Sequence, residues 1–344
     1  MNDNNELKSL NSILSQYSVR ADFIEQYGKI YKIYSNKGTF ALKHIPIHHG
    51  VDFIKHVQYL YQRGYNRIVP IYPTIDGRYA ILHENFLYYL MPWLINDEKE
   101  DRKERPQQMF RELARMHTLS QKEVKIDKED RKEHYERTKQ QWEKDAEFIE
   151  GFIEACEKKV YMSPFELQFC LYFHDISQAQ RFAIKKLEEW FEATKDLDKA
   201  RTVINHGKVS TEHFLFDEKG YGFFANFENS KLGSPIHDVL PVLFRALKGH
   251  PRKFEEAINW LYEGYFKYFP FKEEEKLLFY SYFAYPNLII RLTTDYLQES
   301  GKKQELKYSG KLQRRYWQLK NTEYVLMRMV EIENQLKQKE GAPE

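Results

Sequence analysis

The sequence predicts an α+β protein of two lobes, with a small antiparallel sheet in the first lobe and mainly helices in the second. The chain has 344 residues, which is enough for two lobes that each bury their own core. Residues 28–92 contain several short apolar runs separated by Gly and Asp turns, and the residues after them form longer segments with helical spacing. We therefore place the first lobe at residues 1–92 and the second at residues 93–344.

The composition is that of a globular protein without a nucleic-acid or membrane partner. Hydrophobic residues make up 42% of the chain and charged residues 30%, and the net charge is only +2. Met1–Lys8 has no signal-peptide core, and the apolar run Phe86–Ile95 is far shorter than the ~20 residues that span a bilayer. We therefore expect a cytoplasmic site of synthesis. The two cysteines, Cys156 and Cys170, are expected to be buried, reduced thiols.

The first lobe is expected to combine two helices with several strands. Ser9–Tyr17 has helical spacing, and Asp52–Arg63 reads as a helix that ends at Gly64. Two apolar runs, Ile30–Tyr34 and Thr39–Ile45, flank a turn and predict a hairpin. Further strands are expected at Ile68–Tyr72, at Arg78–His83 beyond an Asp76-Gly77 turn, and at Phe86–Met91, which Pro92 ends.

The second lobe is expected to be a succession of helices. Ser163-Pro164-Phe165-Glu166 has the pattern of a capping box with proline at the first helical position. The charge-dense stretch Glu123–Arg137 is interpreted as a solvated loop or the start of a helix. Helices are predicted at Arg105–Leu119, around Trp142–Ile153, and at Ser177–Thr194, Val239–Leu247, Phe254–Phe269, Glu273–Leu297 and Lys311–Lys339.

The stretch Ile204–Val239 is the most informative part of the chain. Apolar runs on either side of Asp217–Gly220 predict a β-hairpin. One polar loop precedes this hairpin, and a second loop, Asn226-Phe227-Glu228, follows it. Because the two loops leave the same end of a hairpin, their side chains are expected to meet there.

These two loops resemble those of the aminoglycoside phosphotransferase and choline kinase group, relatives of protein kinases. There the first loop reads His-Gly-Asp, with an Asn five residues after the Asp, and the second reads Asp-Phe-Asp. The matching positions here are His206, Gly207, Leu215, Phe227, Gly233, Pro235 and Asp238. The resemblance implies a two-lobed protein-kinase-like fold of the aminoglycoside phosphotransferase type. In that fold Lys43 stands where the family holds phosphate, and His206, Gly207, Phe227 and Asp238 are structural.

In the same alignment, the residues that carry the family's chemistry are replaced. The family's catalytic Asp falls on Lys208, its metal-binding Asn on His213 and its metal-binding Asp on Asn226. Phosphoryl transfer needs a carboxylate near the attacking hydroxyl and oxygen ligands for Mg²⁺. An ammonium is no base at neutral pH unless burial lowers its pKa by about 3 units, and imidazole nitrogen suits Mg²⁺ poorly. The resemblance therefore implies a protein with no catalytic residue, cofactor or metal, in which Lys43, Lys208, His213, Asn226 and Glu228 mark a degenerate site.

Three further differences from the family pattern weaken the case for a nucleotide-binding site. The stretch Tyr17–Lys29, where the family has a glycine-rich loop, contains only Gly28. The predicted helix Asp52–Arg63 lacks the Glu with which the family fixes its lysine, and Pro92 has no N–H to offer adenine.

Lys208 itself carries a specific expectation. A buried ammonium needs an anion, because an unpaired buried charge costs several kcal/mol. Glu212 and Glu228 are the nearest acids in the two loops. One of them is therefore expected to pair with Lys208.

Within the wider group, the sequence resembles the spore-coat-associated CotS-like family of endospore-forming bacilli, in particular its YutH type. The degenerate loops and the 25 tyrosines are in keeping with that family. The resemblance implies a protein made in the mother-cell cytoplasm and deposited in the spore coat, with other coat proteins as partners. Two alternatives stay open: an active small-molecule kinase in which Glu228 or Glu212 binds the metal and Lys43 the phosphate, and a module that binds a ligand without chemistry.

Overall fold

The structure, a computed structural model, describes residues 2–94, 104–248, 254–299 and 304–340. The chain divides into two compact units, Met1–Gln121 with Val203–Gly233, and Lys122–Thr202 with Ser234–Glu344. The lobe boundary predicted at residue 92 follows secondary structure rather than packing and stays a prediction. Across the described ranges, no helix combines the length and the apolar character that a membrane crossing requires.

Helices dominate the chain after residue 104, and short strands fill much of the rest. The helices described are α1 (Asn2–Ser15), α2 (Asp52–Gln62), α3 (Arg105–Ser120), α4 (Lys128–Glu157), α5 (Pro164–Thr194), α6 (Ile236–Ala246), α7 (Phe254–Asn259), α8 (Glu273–Ala284), α9 (Asn287–Gln298) and α10 (Glu305–Glu340). The strands described are β1 (Phe23–Tyr27), β2 (Ile30–Ser35), β3 (Gly38–Pro46), β4 (Ile81–His83), β5 (Phe86–Pro92), β6 (Lys122–Lys125), β7 (Lys199–Asn205), β8 (Phe214–Phe216), β9 (Gly222–Phe224) and β10 (Lys231–Gly233).

In the first unit, β1 to β5 form a five-stranded antiparallel sheet in the order β1-β2-β3-β5-β4. The predicted β2–β3 hairpin is confirmed, and Gly38 supplies its positive φ of 120°. The edge strand β1 was not predicted, because its residues are all exposed or half-buried and so lack a clean apolar alternation.

The strand predicted at Ile68–Tyr72 is wrong, although the turn at Asp76-Gly77 is present, with Gly77 N donating to Thr74 O at 2.9 Å. Residues 68–72 contribute only isolated bridges, to Phe224 and Leu90, and β4 pairs with β5 instead. The turn between β4 and β5 is Glu84-Asn85, where φ is 46° and 65°. Two positive φ angles in succession match the twist of a two-residue hairpin, which is why the chain reverses there.

One face of this sheet is buried beneath α1, whose predicted helical spacing is confirmed. Leu10, Ile13 and Leu14 of α1 pack with Tyr31, Ile33, Leu42, Ile81 and Leu90 of the strands. Since successive strand residues point to opposite faces, Lys43, next to Leu42, belongs to the other face. The sheet thereby separates an apolar core from a face that carries Lys43.

The first unit also contains α2, α3 and the hairpin predicted near residue 217. Helix α2 ends as expected before Gly64, which has a φ of 81°. Strands β8 and β9 pair from Phe214 with Phe224 to Phe216 with Gly222. A Cβ on Gly222 would lie 2.2 Å from the Phe214 ring, so glycine permits this close packing.

The second unit is mainly helical, as predicted, with several different boundaries. The capping box is confirmed: Ser163 Oγ accepts from Glu166 N at 3.2 Å, and Glu166 Oε2 accepts from Ser163 N at 2.9 Å. Helix α5 begins there and includes the helix predicted at 177–194. Pro286 divides the helix predicted at 273–297 into α8 and α9, because its N–H is missing.

Two further segments of this unit differ from expectation. The predicted helix at 254–269 changes after α7 into a π-helical segment, Trp260–Phe266. The charge-dense stretch 123–137 divides into β6, which pairs with the first half of β7, and the beginning of α4. Cys156 is buried and Cys170 is half-buried, and both are free thiols.

Candidate functional site

Lys43 is the buried centre of the candidate site. It lies in β3 opposite Tyr89 of β5, and only 8% of the residue is exposed. Its Nζ donates to Asn226 Oδ1 at 2.6 Å and also to the Glu228 carboxylate. Because an ammonium that leaves water must regain its hydrogen bonds and a counter-charge, these two acceptors explain how β3 tolerates a lysine here.

Glu228 meets Lys43 through the conformation of the second loop. Asn226 has a φ of 68°, a left-handed conformation that asparagine tolerates better than most residues. A single 3₁₀ turn, Phe227–Asn229, follows it. The Tyr89 hydroxyl donates to the same carboxylate, so Glu228 accepts from both residues of the β3–β5 pair.

The two charges perturb each other's titration. Burial alone would raise the pKa of Glu228, but the Lys43 ammonium and the hydrogen bonds from Lys43 and Tyr89 hold this pKa below its usual range. Burial lowers the pKa of Lys43; the nearby charge of Lys208 adds to that, and Glu228 opposes it. Glu228 is therefore a carboxylate at neutral pH, and it is engaged by protein donors.

The expected pairing of Lys208 with a glutamate is wrong. Lys208 is exposed, and within the described residues no ion pair joins it to Glu212 or Glu228, whose carboxylate pairs with Lys43 instead. An exposed ammonium is solvated by water and needs no counter-ion, whereas the buried Lys43 does. Burial rather than closeness along the chain decides which lysine receives the acid.

His206 links the two loops through its ring. It is fully buried, its Nε2 donates to Ala225 O at 2.7 Å, and its Nδ1 accepts from Lys208 N at 3.2 Å. Phe227 packs on the ring with centroids 4.7 Å apart. The structure thus brings His206 and Phe227 together, whereas Asp238 lies in α6 of the other unit, where it is buried.

Gly207 is required by the close approach of the two loops. Its φ is 79°, and a Cβ at this position would lie 2.2 Å from the backbone oxygen of Asn229. A larger residue would therefore have to separate the loops as well as adopt a left-handed backbone. The match of this glycine to the family pattern reflects backbone geometry, which does not depend on the catalytic side chains.

His213 completes the first loop. Its Nδ1 donates to Lys208 O at 2.7 Å, which fixes the tautomer. Burial lowers the pKa of His213, the charges of Lys208 and Lys43 lower it further, and the bond to the Lys208 carbonyl and the charge of Glu212 oppose them. His213 is therefore a neutral imidazole at neutral pH.

Among solved structures, the chain is similar to an aminoglycoside phosphotransferase from Alicyclobacillus acidocaldarius subsp. acidocaldarius DSM 446. The TM-score is 0.71 and the identity 14%, over 92% of this chain and 94% of that one. The fold is that of an aminoglycoside phosphotransferase. The AMP-bound spectinomycin phosphotransferase APH(9)-Ia is also similar, with a TM-score of 0.54 and 16% identity over 92% of this chain and 97% of that one. No protein-family model and no curated protein sequence matches the chain.

The predicted two-lobed, protein-kinase-like fold class is confirmed by these structures, and at such identities the likeness extends to the fold alone. Enzymes with kinase chemistry use Mg²⁺ held by hard oxygen ligands beside the nucleotide phosphates. The residues here fit that ion poorly, because Lys43 already occupies Asn226 Oδ1 and the Glu228 carboxylate, and His213 offers nitrogen. In the parts of the chain that the structure describes, no three His, Cys, Asp or Glu side chains form a metal-binding group.

Sequence reasoning missed Tyr89 and the partner of Glu228. Tyr89 enters the site because the β3–β5 register places it opposite Lys43. That register is set by pairing across the sheet, and no local signal in the sequence announces it. The nearest signal in the sequence was the absence of a Glu in α2, which implied that an acid from another segment would have to pair with Lys43.

Proposed function

We propose that the protein is a kinase-like protein that does not transfer phosphate and that acts through its surface. The observation that carries this proposal is the closed contact of Lys43 with Glu228 and Asn226. The lysine that the resemblance assigns to phosphate is neutralised by the loop that the resemblance assigns to the metal. Lys208, at the position of the catalytic carboxylate, adds a positive charge and no base.

A thermal-shift titration with Mg²⁺–ATP tests this proposal. A ligand at about 100 times its Kd raises the free energy of unfolding by about 2.7 kcal/mol, which a melting curve detects readily. We expect no shift for the wild-type protein at millimolar Mg²⁺–ATP. A magnesium-dependent shift, together with release of ADP in the presence of an acceptor alcohol, would overturn the proposal.

The triple variant Lys208→Asp, His213→Asn, Asn226→Asp is the matched comparison. It returns the carboxylates and the amide that the family pattern has at these positions, and it keeps the other loop residues, Gly207 among them. Under the proposal, any nucleotide-dependent stabilisation appears in this variant and is absent from the wild type. Equal stabilisation of both proteins would count against the assignment of these three positions.

An active small-molecule kinase is the second candidate, and the nearness of Glu228 to Lys43 is the observation that favours it. In this candidate Glu228 would leave Lys43 to bind the metal, and Lys43 would hold phosphate. Glu228→Gln would then abolish a wild-type ATP shift. Under our proposal the wild type has no such shift to lose.

We further propose that the protein is a component of the bacterial endospore coat, made in the mother cell and held there by other coat proteins. Support for this comes from the sequence resemblance of the degenerate loops and from the tyrosine content. Fractionation of sporulating cells tests it, because the protein should be recovered with the spore integument. If the protein were recovered only from the soluble extract of vegetative cells, the proposal that it is a coat component would be wrong.

A further inference from the structure

The second unit contains a cavity that plays no part in the loops described above. Its volume is about 560 Å³, and its lining comes from α4, α6, α8, α9, α10 and the α8–α9 connection. Sites for small organic molecules commonly have volumes of about 300–1,000 Å³. The size of this cavity, named the α6–α9 pocket, therefore suits a ligand of that kind.

One wall of the α6–α9 pocket is a rigid aromatic group. The rings of Trp142 and Tyr285 stack with centroids 4.1 Å apart, and Tyr282 meets Trp142 edge-on at 5.6 Å. The Tyr285 hydroxyl donates to Asp145, which holds the stack in place. The wall continues in Leu240, Pro241, Phe244, Pro286, Leu288 and Ile289. An apolar or aromatic molecule can cover this surface without reorganising it.

The charges of the lining have one predominant sign. The lining includes the cationic residues Lys248 and Arg315 and a single carboxylate, Asp145. Asp145 already accepts from the Tyr285 hydroxyl and, at 2.9 Å, from Gln141 Nε2. Arg315 donates to the neutral Gln318 at 3.2 Å, and no carboxylate of the described residues forms an ion pair with it.

The first turn of α9 adds no negative charge to this lining. Asn287, Leu288 and Ile289 line the pocket, the turn has no acidic residue, and no side chain caps it. The N-terminal peptide groups of a helix favour an anion beside them. Here the N–H groups of Asn287 and Ile289 already donate to Tyr285 O and Pro286 O, both at 2.9 Å, so an anionic ligand gains mainly from the basic side chains.

We propose that the α6–α9 pocket binds a small organic anion, with its apolar body against the Trp142–Tyr285 wall and its anionic group toward Arg315 and Lys248. The ligand class is a carboxylate or phosphate ester that carries an aromatic or aliphatic body. This inference is independent of the loops in the first unit and does not require phosphoryl transfer.

Three probes of matched shape and different charge test the proposal on the full chain: 4-phenylbutyrate, 4-phenylbutanol and 4-phenylbutylamine. Isothermal titration calorimetry gives the affinity and the stoichiometry of each. We expect one site per chain for 4-phenylbutyrate, with an affinity about ten-fold or more above that of the amine, because the lining cations attract one and repel the other. Equal affinities, tighter binding of the amine, or no binding of any probe at about 10 mM would overturn the proposal.

Variants then locate the site. The double variant Lys248→Gln, Arg315→Gln should weaken 4-phenylbutyrate about ten-fold and leave 4-phenylbutanol unchanged, because it removes charge and keeps the wall. Arg314→Gln, at an exposed neighbour outside the lining, should change neither. Leu288→Trp should fill the pocket and abolish both. An unchanged affinity in the double variant, at an unchanged melting temperature, would also overturn the proposal.

A second cavity provides the last control. An apolar groove of about 630 Å³ lies between α5 and α10, lined by Phe182, Leu326, Met327 and Val330 among others. Val330→Trp obstructs this groove and should leave 4-phenylbutyrate binding intact. If Val330→Trp abolishes binding and Leu288→Trp does not, the α6–α9 pocket is not the site.

Discussion

Among the described residues, the first unit contains the buried pair Lys43–Glu228 and the second the buried pair Arg201–Glu275, and their burial is similar. The exposed side-chain fractions are 11% and 5% for Lys43 and Glu228, and 12% and 9% for Arg201 and Glu275. Burial alone therefore does not distinguish them. Their surroundings distinguish them, because the two pairs form hydrogen bonds with different parts of the fold.

The Arg201–Glu275 pair is part of the scaffold. Arg201 donates from Nε and Nη2 to both Glu275 oxygens and also to Pro270 O at 2.8 Å, and its guanidinium stacks over Phe269 at 4.1 Å. Glu275 in turn accepts from Lys272 N at 2.9 Å, which caps α8. This pair thus joins β7 to the start of α8, a structural role that accounts for every one of these contacts.

The Lys43–Glu228 pair joins a strand to a loop turn. A lysine ammonium has no planar fork, and its two acceptors come from one short loop that begins with a left-handed residue. The side-chain donors to this carboxylate are Lys43 and Tyr89, and neither contact caps a helix. The comparison teaches that the Arg201–Glu275 pair ties a strand to a helix start, whereas the Lys43–Glu228 pair holds a short loop against the sheet.

The largest expected effect is on the scaffold pair. Arg201→Met should lower the free energy of unfolding by about 3–5 kcal/mol, because it leaves a buried Glu275 without its counter-charge. Urea denaturation at neutral pH measures this. Lys272→Met is the matched control, since its ammonium pairs with the exposed Glu123 and should cost at most about 1 kcal/mol. Equal losses in the two variants would contradict a scaffold role for Arg201.

A smaller loss of stability is expected when the Lys43–Glu228 pair is broken. Lys43→Met and Glu228→Gln should each lower the free energy of unfolding by about 1–3 kcal/mol. Each change leaves a buried group that keeps one neutral partner, Tyr89 for Glu228 or Asn226 for Lys43. Arg201→Met removes three hydrogen bonds at once, so its cost is larger. The double variant should cost less than the sum of the single variants, with a coupling of about 1–3 kcal/mol. A double-mutant cycle by urea denaturation measures the coupling. Strict additivity would show that the two side chains do not act as a pair.

The pH dependence of the loop pair sharpens the comparison further. Since the pKa of Glu228 is held below its usual range in the folded protein, its stabilisation is complete above the unfolded value of about 4.3. It is lost as the pH falls through the folded pKa. The stability difference between wild type and Glu228→Gln should therefore be constant from pH 7 to about pH 5 and shrink in more acidic solution. A difference that already shrinks above pH 6 would contradict this assignment.

The smallest effect concerns His213. Lys208→Gln should raise the pKa of His213, because a positive charge that opposes the imidazolium is removed while the carbonyl bond is kept. Histidine ring resonances followed by NMR between pH 4 and pH 8 measure the shift. Lys219→Gln, in the exposed turn of the β8–β9 hairpin, should leave the His213 curve unchanged. A fall in the pKa for Lys208→Gln would mean that its charge does not reach His213.

Local sequence determined the parts of this protein that depend on neighbouring residues. The β2–β3 and β8–β9 hairpins, the end of α2 and the capping box at Ser163 were predictable, because turn residues, glycines and apolar spacing act within a few positions. The loop pattern at His206-Gly207 was sufficient to indicate the fold class. The edge strand β1 and the β4–β5 hairpin were not predicted. The apolar alternation of β1 is weak, and the β4–β5 hairpin depends on how strands pair across the sheet.

Only the tertiary structure decided which charges meet. Sequence proximity suggested that Glu228 or Glu212 would serve Lys208, yet Glu228 binds Lys43, which lies 185 positions away. The physical reason is the difference in solvation between the two lysines. Strand register and packing bury Lys43, so it requires a carboxylate, whereas Lys208 remains in water and does not.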